Sequence, residues 1–105
     1  MEIQIHHQEM DASGEGMWFV KDDETGEVLA KVVYHAANAG VTDAGNISLD
    51  STVVSDKLRG KNMGKRLVNE AVAYARAKNI KLIPVCPFIV ALFERVPDDY
   101  RDVAA

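Results

Sequence analysis

The feature that most constrains this sequence is a short basic segment, residues 57–66, at which a strand pattern changes into a helix pattern. Before it, residues 46–54 alternate apolar and polar side chains, as a half-buried strand does. After it, apolar residues recur at helical spacing from Met63, and another apolar run follows at residues 81–85. A strand, a helix and a second strand in this order predict a parallel strand pair joined by a crossover helix.

The same segment is crowded with positive charge and holds five of the chain's twelve Lys and Arg residues. A helix N-terminus already carries about half a unit of positive charge from its peptide dipoles, so helices usually begin with Asp or Glu. The reversed preference, together with Gly60 and Gly64, predicts a bound polyanion such as a pyrophosphate that meets free backbone N–H groups. The simpler alternative is a solvated, positively charged loop.

Two better-known phosphate motifs do not fit this segment. Residues 60–66 have one spacer residue too few for a P-loop, and they lack its Ser or Thr after the Lys. The dinucleotide pattern Gly-x-Gly-x-x-Gly is absent from the sequence as well. The pyrophosphate is therefore expected in a loop of another kind.

The whole pattern predicts one α/β domain over residues 1–105, with a mixed sheet of about five strands and two main helices. Besides residues 46–54 and 81–85, strands are predicted at residues 2–6, 17–21 and 28–35. The polar residues 22–27, with Gly26 free to take a positive φ, predict a hairpin. Residues 38–46 are predicted to form a loop.

The ends of the helices have their own signals. Asn79 is a plausible C-cap for the helix that starts at Met63. Pro87 suits the first turn of a second helix, and Pro97 is expected to end that helix before an acidic tail. Trp18 on the hairpin is expected in the core.

Composition excludes several classes of function. The chain has 48% hydrophobic residues, 27% charged residues and a net charge of -4, which is ordinary for a globular protein. A protein dedicated to nucleic acid usually has excess Lys and Arg, so we expect no nucleic-acid partner. No apolar run approaches the roughly 20 residues of a membrane span, so we expect no membrane association. The single cysteine, Cys86, agrees with a cytoplasmic location.

Residues 59–64, Arg-Gly-Lys-Asn-Met-Gly, resemble the acyl-CoA pyrophosphate loop of the GNAT acetyltransferases. That pattern is Arg or Gln, two variable residues, Gly, one variable residue, then Gly or Ala. Arg59 and Gly64 match its ends, while Asn62 stands where the internal Gly is expected. Asn tolerates a positive φ better than most residues, so the loop can still turn.

Residues 83–88, Ile-Pro-Val-Cys-Pro-Phe, resemble the Pro-x-Cys-Pro-Phe element of very small GNAT-like proteins that lack the family's usual N-terminal helices. In GNAT proteins the strand before the loop and the strand with this element splay apart, and the pantetheine arm lies between them. The resemblance thus implies that the thioester end of an acyl-CoA lies near Cys86.

The resemblance also implies which residues hold acetyl-CoA or another acyl-CoA. Backbone N–H groups of residues 58–65 would bind the pyrophosphate, basic side chains would add charge, and two strand residues would bind the pantetheine amides. The implied cofactor-binding residues are Val53, Val54, Leu58, Arg59, Gly60, Lys61, Asn62, Met63, Gly64 and Lys65.

The sequence departs from the small subfamily at two places. Residues 51–54 read Ser-Thr-Val-Val instead of His-Thr-Glu-Val, and residues 96–100 read Val-Pro-Asp-Asp-Tyr instead of His-Pro-x-Tyr. Two histidines and a glutamate of the relatives are therefore missing. If those groups handle protons or substrate in relatives, other groups do so here, or the activity is reduced or different.

Cys86 is the candidate catalytic residue, and three roles stay open for it. It could attack the acetyl thioester, protonate the departing CoA thiolate, or line the pocket as an inert hydrophobe. The histidines are weaker candidates. His6 and His7 are adjacent and point to opposite faces of a strand, so they form no metal pair, and His35 lies alone at a strand end.

The resemblance and the site together predict an N-acetyltransferase that moves an acetyl group from acetyl-CoA to an unknown amine. The alternative is a CoA-binding or interaction module with lost or weak transferase activity. A nucleic-acid-binding domain is the third reading, and the acidic net charge argues against it. We expect a monomer or a weak homodimer, with an acceptor pocket built from loops such as residues 36–45.

Overall fold

The computed structural model describes residues 3–36, 46–58 and 60–104 and shows a five-stranded sheet packed against helices. The strands lie side by side in chain order: β1 His6–Gln8, β2 Glu15–Lys21, β3 Val28–Ala36, β4 Ile47–Val54 and β5 Leu82–Pro84. The helices are α1 Met63–Lys78, α2 Pro87–Arg95 and α3 Pro97–Tyr100, with a short 3₁₀ turn at Asp56–Leu58. The predicted mixed α/β fold is confirmed.

The first four strands pair antiparallel, and a tight turn joins β2 to β3. In that turn the Asp22 N–H donates to the Glu27 carbonyl at 2.8 Å, and Gly26 takes a φ of 76°. Only glycine adopts this backbone angle at little cost, so the turn forms where the sequence places Gly26. The predicted hairpin is confirmed.

The first strand begins later than predicted. We expected it at residues 2–6, because Ile3 and Ile5 alternate with polar residues, but β1 is His6–Gln8 and pairs with residues 17–19 of β2. Ile3 and Ile5 pack instead, partly buried, against the core. Alternation marks residues that face a core, whereas a strand also needs a neighbour for its ladder hydrogen bonds.

Helix α1 crosses from β4 to β5, and these strands pair in parallel as predicted. The helix starts at Met63, and Asn79 caps its end with a left-handed φ of 57°, again as predicted. Because the crossover reverses direction, the N-terminus of α1 lies next to the carboxyl end of β4. This arrangement brings the basic segment to one end of the sheet.

A hydrophobic core fills the space between one face of the sheet and the helices. On this face the Trp18 ring stacks on Tyr34 with centroids 4.5 Å apart, and His7 Nε2 lies 2.6 Å from the Tyr34 hydroxyl. The opposite face carries alternate residues of the same strands, such as Met17, Phe19 and Val33, and all of these stay partly exposed. No helix among the described elements buries this second face, which we call the open face.

Pro97 lies between two helices. We expected this proline to end the second helix, and α2 does end at Arg95, two residues before it. The acidic residues that we expected to form a tail belong instead to α3, which Pro97 opens. Proline fits a first helical turn because its missing N–H has no partner there, and Asp98 and Asp99 complement the helix dipole. Tyr100 is thereby buried and stacks on Phe93 at 4.7 Å.

Candidate functional site

The parallel pairing of β4 and β5 stops partway along β4. The last paired residues are Leu49 and Pro84, and the Leu49 carbonyl accepts the N–H groups of both Val85 and Cys86, at 3.1 and 3.0 Å. Strand β4 continues from there to Val54 beside β3. From residue 50 onward the other edge of β4 therefore pairs with no strand in the described part of the chain.

A β-bulge lies at the point where the two strands separate. Tyr34 of β3 faces Leu49, but its neighbour Val33 faces Ser51, so Asp50 is an extra residue in β4. A bulge of this kind bends its strand and redirects the side chain of the extra residue. The separation of β4 from β5 and the bend in β4 thus occur at the same residue.

The free edge of β4 presents backbone groups of alternate residues. Ser55 N–H donates to the Leu29 carbonyl of β3 at 2.7 Å, so Ser55, and by alternation Val53, direct their backbone groups toward β3. Thr52 and Val54 direct theirs toward the free edge. Val53 and Val54 were both predicted from the sequence to hydrogen-bond the pantetheine amides, but only Val54 has its backbone groups at the free edge. Thr52 was not predicted, because alternation alone does not tell which edge is free.

The loop after β4 is tightly folded on its own backbone. Leu58 is buried, its N–H donates to the Ser55 carbonyl, and its carbonyl accepts the Lys61 N–H at 3.3 Å. Gly60 has a φ of 82° and Asn62 a φ of 55°, so two left-handed residues shape the turn. Asn62 thus adopts the backbone angle that the family pattern assigns to glycine. Arg59, which the sequence predicts as a cofactor contact, lies outside the described residues.

Helix α1 starts without the groups that usually satisfy its first turn. Asn62 is the N-cap, yet its side chain makes no capping hydrogen bond with the described residues, and the first turn holds no acidic residue. The N–H groups of residues 63–65 have no acceptor within the helix. Lys61 is exposed and Lys65 partly exposed beside them. Free N–H groups, the helix dipole and two ammonium groups at one place form an arrangement that favours a bound anion.

Gly64 joins this helix end to α2. A Cβ atom built on Gly64 would lie 2.8 Å from Cζ of Phe88, so a side chain at this position would force the ring to move. A cleft of about 220 Å³ opens beside the contact, lined by Asn62, Lys65, Phe88, Leu92, Arg95 and Val96. Lys65 and Arg95 make this cleft positively charged.

Cys86 lies at the N-cap of α2, across the gap from β4. The side chain is 7% exposed, and the thiol is free. Burial raises the pKa of the thiol, but the Thr52 hydroxyl and the N–H groups of Phe88 and Ile89 outweigh it, so the pKa is lowered overall. Thr52 Oγ1 is itself buried without a hydrogen bond of normal geometry among the described residues. We therefore ascribe the lowering mainly to the N–H groups of α2.

The three histidines lie in different surroundings. His6 stacks on Phe19 and His7 on Trp18, so the two point to opposite faces as predicted. His35 is not alone, contrary to the sequence reading, because it contacts both Asp50 and Glu15 on the open face. This cluster could not be found from the sequence, since its members come from three strands whose register the bulge shifts. Among the described residues, no group of three or more His, Cys, Asp or Glu side chains is arranged so that it could hold a metal ion.

The family model of GCN5-related N-acetyl-transferases matches residues 17–103. The chain belongs to the GCN5-related N-acetyltransferase family. The predicted resemblance is thereby confirmed, and so is acetyl-CoA as the cofactor of the family. No curated protein matches the sequence. No helix in the described part of this GNAT chain has the length and apolarity that a membrane crossing requires.

Solved structures agree with the family. A GCN5-like N-acetyltransferase candidate from Staphylococcus aureus, solved by NMR, is 31% identical and superposes with a TM-score of 0.71 over 97% of this chain and 87% of that one. A ribosomal-protein-alanine N-acetyltransferase from Brucella melitensis biovar Abortus 2308 shares 17% identity and a TM-score of 0.66 over 90% of both chains. A GNAT family acetyltransferase from Elizabethkingia anophelis with acetyl-CoA bound shares 16% identity and a TM-score of 0.54, covering 76% of this chain and 62% of that one. The last two comparisons show the shared fold.

We predict that Gly64→Ala destabilises the protein through its contact with Phe88. The added methyl group overlaps the ring, which should lower the free energy of unfolding by about 1–3 kcal/mol in urea denaturation. Phe88→Ala removes the ring. In the Phe88→Ala variant, Gly64→Ala should leave the free energy of unfolding unchanged or raise it by up to about 1 kcal/mol, because alanine favours the helical conformation. A cost that is the same in both backgrounds would contradict the contact.

We also predict that Thr52→Val raises the pKa of the Cys86 thiol only slightly. The α2 N–H groups that favour the thiolate remain, and only the hydroxyl is lost. The ultraviolet absorbance of the thiolate, followed against pH, measures the pKa, with Thr25→Val on the hairpin turn as the control. The free energy of unfolding of Thr52→Val should not fall, because the hydroxyl makes no hydrogen bond of normal geometry with the described residues that the substitution could remove. A rise to the ordinary thiol pKa would instead assign the whole effect to Thr52.

Proposed function

We propose that this chain binds acetyl-CoA, or another acyl-CoA, in the gap between β4 and β5 and transfers the acyl group to an amine. One observation carries the proposal. The uncapped, positively charged N-terminus of α1 opens directly onto the free edge of β4, and that edge leads to Cys86. An anion site at one end of a peptide-like groove matches the pyrophosphate and the two amides of CoA.

The pyrophosphate would lie over the turn between Leu58 and Lys65. Backbone N–H groups of Gly60, Asn62 and the first helical turn would face its oxygens, and Lys61 and Lys65 would add charge. Gly60 and Asn62 support this role because their left-handed angles expose the backbone. Arg59 and the buried Met63 complete the proposed loop, with Gly64 holding it against α2.

The pantetheine arm would extend the sheet along the free edge of β4. Val54 and Thr52 would exchange hydrogen bonds with its amides, while Val53 would line the arm with its exposed side chain. The thioester would then reach the level of Thr52 and Cys86. The Thr52 hydroxyl has almost no solvent contact and, among the described residues, no hydrogen bond of normal geometry, which favours a polar ligand at this point.

The transfer itself requires an amine without its proton, a donor for the oxyanion and a proton for the leaving thiolate. Backbone N–H groups at the gap would stabilise the oxyanion. Cys86 would supply the leaving-group proton, because the N-terminus of α2 stabilises the thiolate that remains. This role breaks the thioester C–S bond, forms the CoA S–H bond and leaves Cys86 to be reprotonated by water.

A second candidate is a CoA-binding module with weak or lost transfer. It is favoured by the side chains of Ser51, Val53 and Val54, none of which can accept a proton at neutral pH. The proposal also keeps the cytoplasmic location expected from the sequence, which the free Cys86 supports. It keeps the expected monomer or weak homodimer as well.

We predict that the protein binds acetyl-CoA and releases CoA thiol in the presence of a suitable amine. Isothermal titration measures the binding, and Lys61→Gln or Lys65→Gln should weaken it about five- to tenfold through the loss of a charged hydrogen bond. Lys78→Gln, at the opposite end of α1, is the matched control. Binding without amine-dependent thiol release across an amine panel would support the module. No binding at millimolar acetyl-CoA would contradict both candidates.

For Cys86 we predict that replacement by Ala separates binding from chemistry. The dissociation constant for acetyl-CoA should stay unchanged, while kcat should fall by about a hundredfold, the usual contribution of a general acid. Stopped-flow thiol release measures kcat, and circular dichroism confirms that the variant is folded. Unaltered kcat would assign Cys86 to packing alone.

A further inference from the structure

The open face of the sheet has an apolar centre that no helix in the described part of the chain covers. Met17 of β2 pairs with Val33 of β3 in the middle of this face, and we call these two residues the central pair. Phe19 lies on the same face, two residues further along β2, and all three side chains are partly exposed. An apolar patch of this kind gains free energy when another surface covers it.

The charges of the open face are separated along the strands. At one end His35 contacts the carboxylates of both Glu15 and Asp50, so this end is negative whether or not the histidine is protonated. At the other end Lys31 of β3 is partly exposed, and the exposed Lys21 ends β2. The acidic turn that joins β2 to β3 lies past this end, outside the paired strands. The paired part of the face is thus acidic at one end and basic at the other.

The strand register makes the two charged ends equidistant from the central pair. On one side of that pair Glu15 pairs with His35, and on the other side Phe19 pairs with Lys31. Each of these pairs lies two residues, or roughly 7 Å, from the central pair. A two-fold axis that lies in the plane of the face and crosses the strands at the central pair therefore exchanges the acidic end with the basic end. The open face is in this way complementary in charge to a second copy of itself.

We propose that the open face binds a second copy of this chain, in a symmetric dimer whose two-fold axis passes beside the central pair. In this dimer Lys31 of each copy lies over the partner's His35, between the partner's Glu15 and the partner's Asp50, and the central pairs of both copies meet at the axis. The inference does not depend on the proposed function, because it uses a surface on the other side of the sheet from the core and helices.

The general geometry of stacked sheets is compatible with this contact. Two sheets that pack face to face lie about 10 Å apart, with strand directions rotated by about 30°. A rotation of about 30° displaces a residue that is roughly 7 Å from the axis by only about 4 Å. The long side chain of Lys31 therefore still reaches the carboxylates on either side of the partner's His35.

The size of the open face determines how strong the dimer is. The seven residues of β2 span roughly 20 Å, and the three strands β2, β3 and β4 are together roughly 14 Å wide. Each copy therefore covers a flat area of roughly 300 Å², well below the roughly 800 Å² per partner of a standard stable interface. The dimer is weak for this reason, and we expect a dissociation constant of about 0.1–1 mM.

Analytical ultracentrifugation of the full chain at up to about 1 mM tests the dimer. We expect the average mass to rise with concentration in the wild type and in Lys78→Glu, a control that makes the same charge change on α1. Lys31→Glu should weaken the association at least about tenfold, because it opposes like charges at both ends of the interface. A wild type that stays monomeric would overturn the proposal and leave the open face to solvent or to a different protein. Equal weakening by Lys31→Glu and the control would overturn it too, since net charge alone would explain both.

A mixture of two variants tests the two-fold arrangement. Glu15→Lys should weaken the dimer as Lys31→Glu does, and circular dichroism shows whether both variants are folded. When the two variants are mixed, one end of the interface keeps its original charges, and at the other end the new Glu meets the new Lys. The mixture should therefore associate about tenfold more tightly than either variant alone. No gain on mixing would overturn the arrangement.

Contacts between copies of the wild type identify the interface without any substitution. In a sample that mixes isotope-labelled and unlabelled chains, NMR detects only those nuclear Overhauser effects that connect one copy with the other. We expect such effects between the Met17 methyl group of one copy and the methyl groups of the partner's Met17 and the partner's Val33. Effects confined to residues outside the open face would overturn the proposal.

Discussion

The structure depends on one carbonyl group, that of Leu49. By accepting hydrogen bonds from both Val85 and Cys86, it ends the ladder between β4 and β5 and turns the chain into α2. If the ladder continued, β5 would occupy the edge of β4 and no groove would exist. The bulge at Asp50 contributes to the same separation, because the extra residue bends β4 at the point where its pairing with β5 ends. A local choice of hydrogen-bond acceptor thus creates the space on which the proposed function rests.

A second constraint acts at the start of α1, where the usual means of stabilising a helix are absent. No capping side chain and no acidic residue satisfies its first turn, and Lys61 and Lys65 add charge of the unfavourable sign. The helix is held in place by burial instead, since Met63, Gly64 and Leu67 are all packed in the core. Packing can fix a helix whose terminus is left unsatisfied. The free N–H groups of this helix end are then available to an anionic ligand.

Much of this fold could be predicted from the sequence because period and turn chemistry are local properties. The change from alternation to helical spacing at Met63 predicted where α1 begins, and Gly26 predicted the turn of the hairpin. The predicted bounds of the first strand were wrong, because the alternation of Ile3 and Ile5 shows which residues face the core but not which residues pair with a neighbouring strand. The end of the second helix before Pro97 was predicted correctly, but the acidic residues after it were expected to form a tail and are helical, since a proline that stops one helix can equally start another. The contacts of His35 with Glu15 and Asp50 could not be predicted from the sequence, because they depend on the register of three strands.

The charges of the molecule have a spatial order that the net charge of -4 hides. Cations gather at the loop after β4, around Lys61 and Lys65, whereas Glu15 and Asp50 lie on the open face beside the bulge. Asp50 and Val54 are four positions apart, so roughly 13 Å of strand separates the two regions. This exceeds a Debye length of about 8 Å at physiological salt, so neither field cancels the other. The positive charge at the loop after β4 is therefore not cancelled by the carboxylates of the open face, and an anionic ligand at the start of α1 would meet a cationic environment although the chain as a whole is acidic.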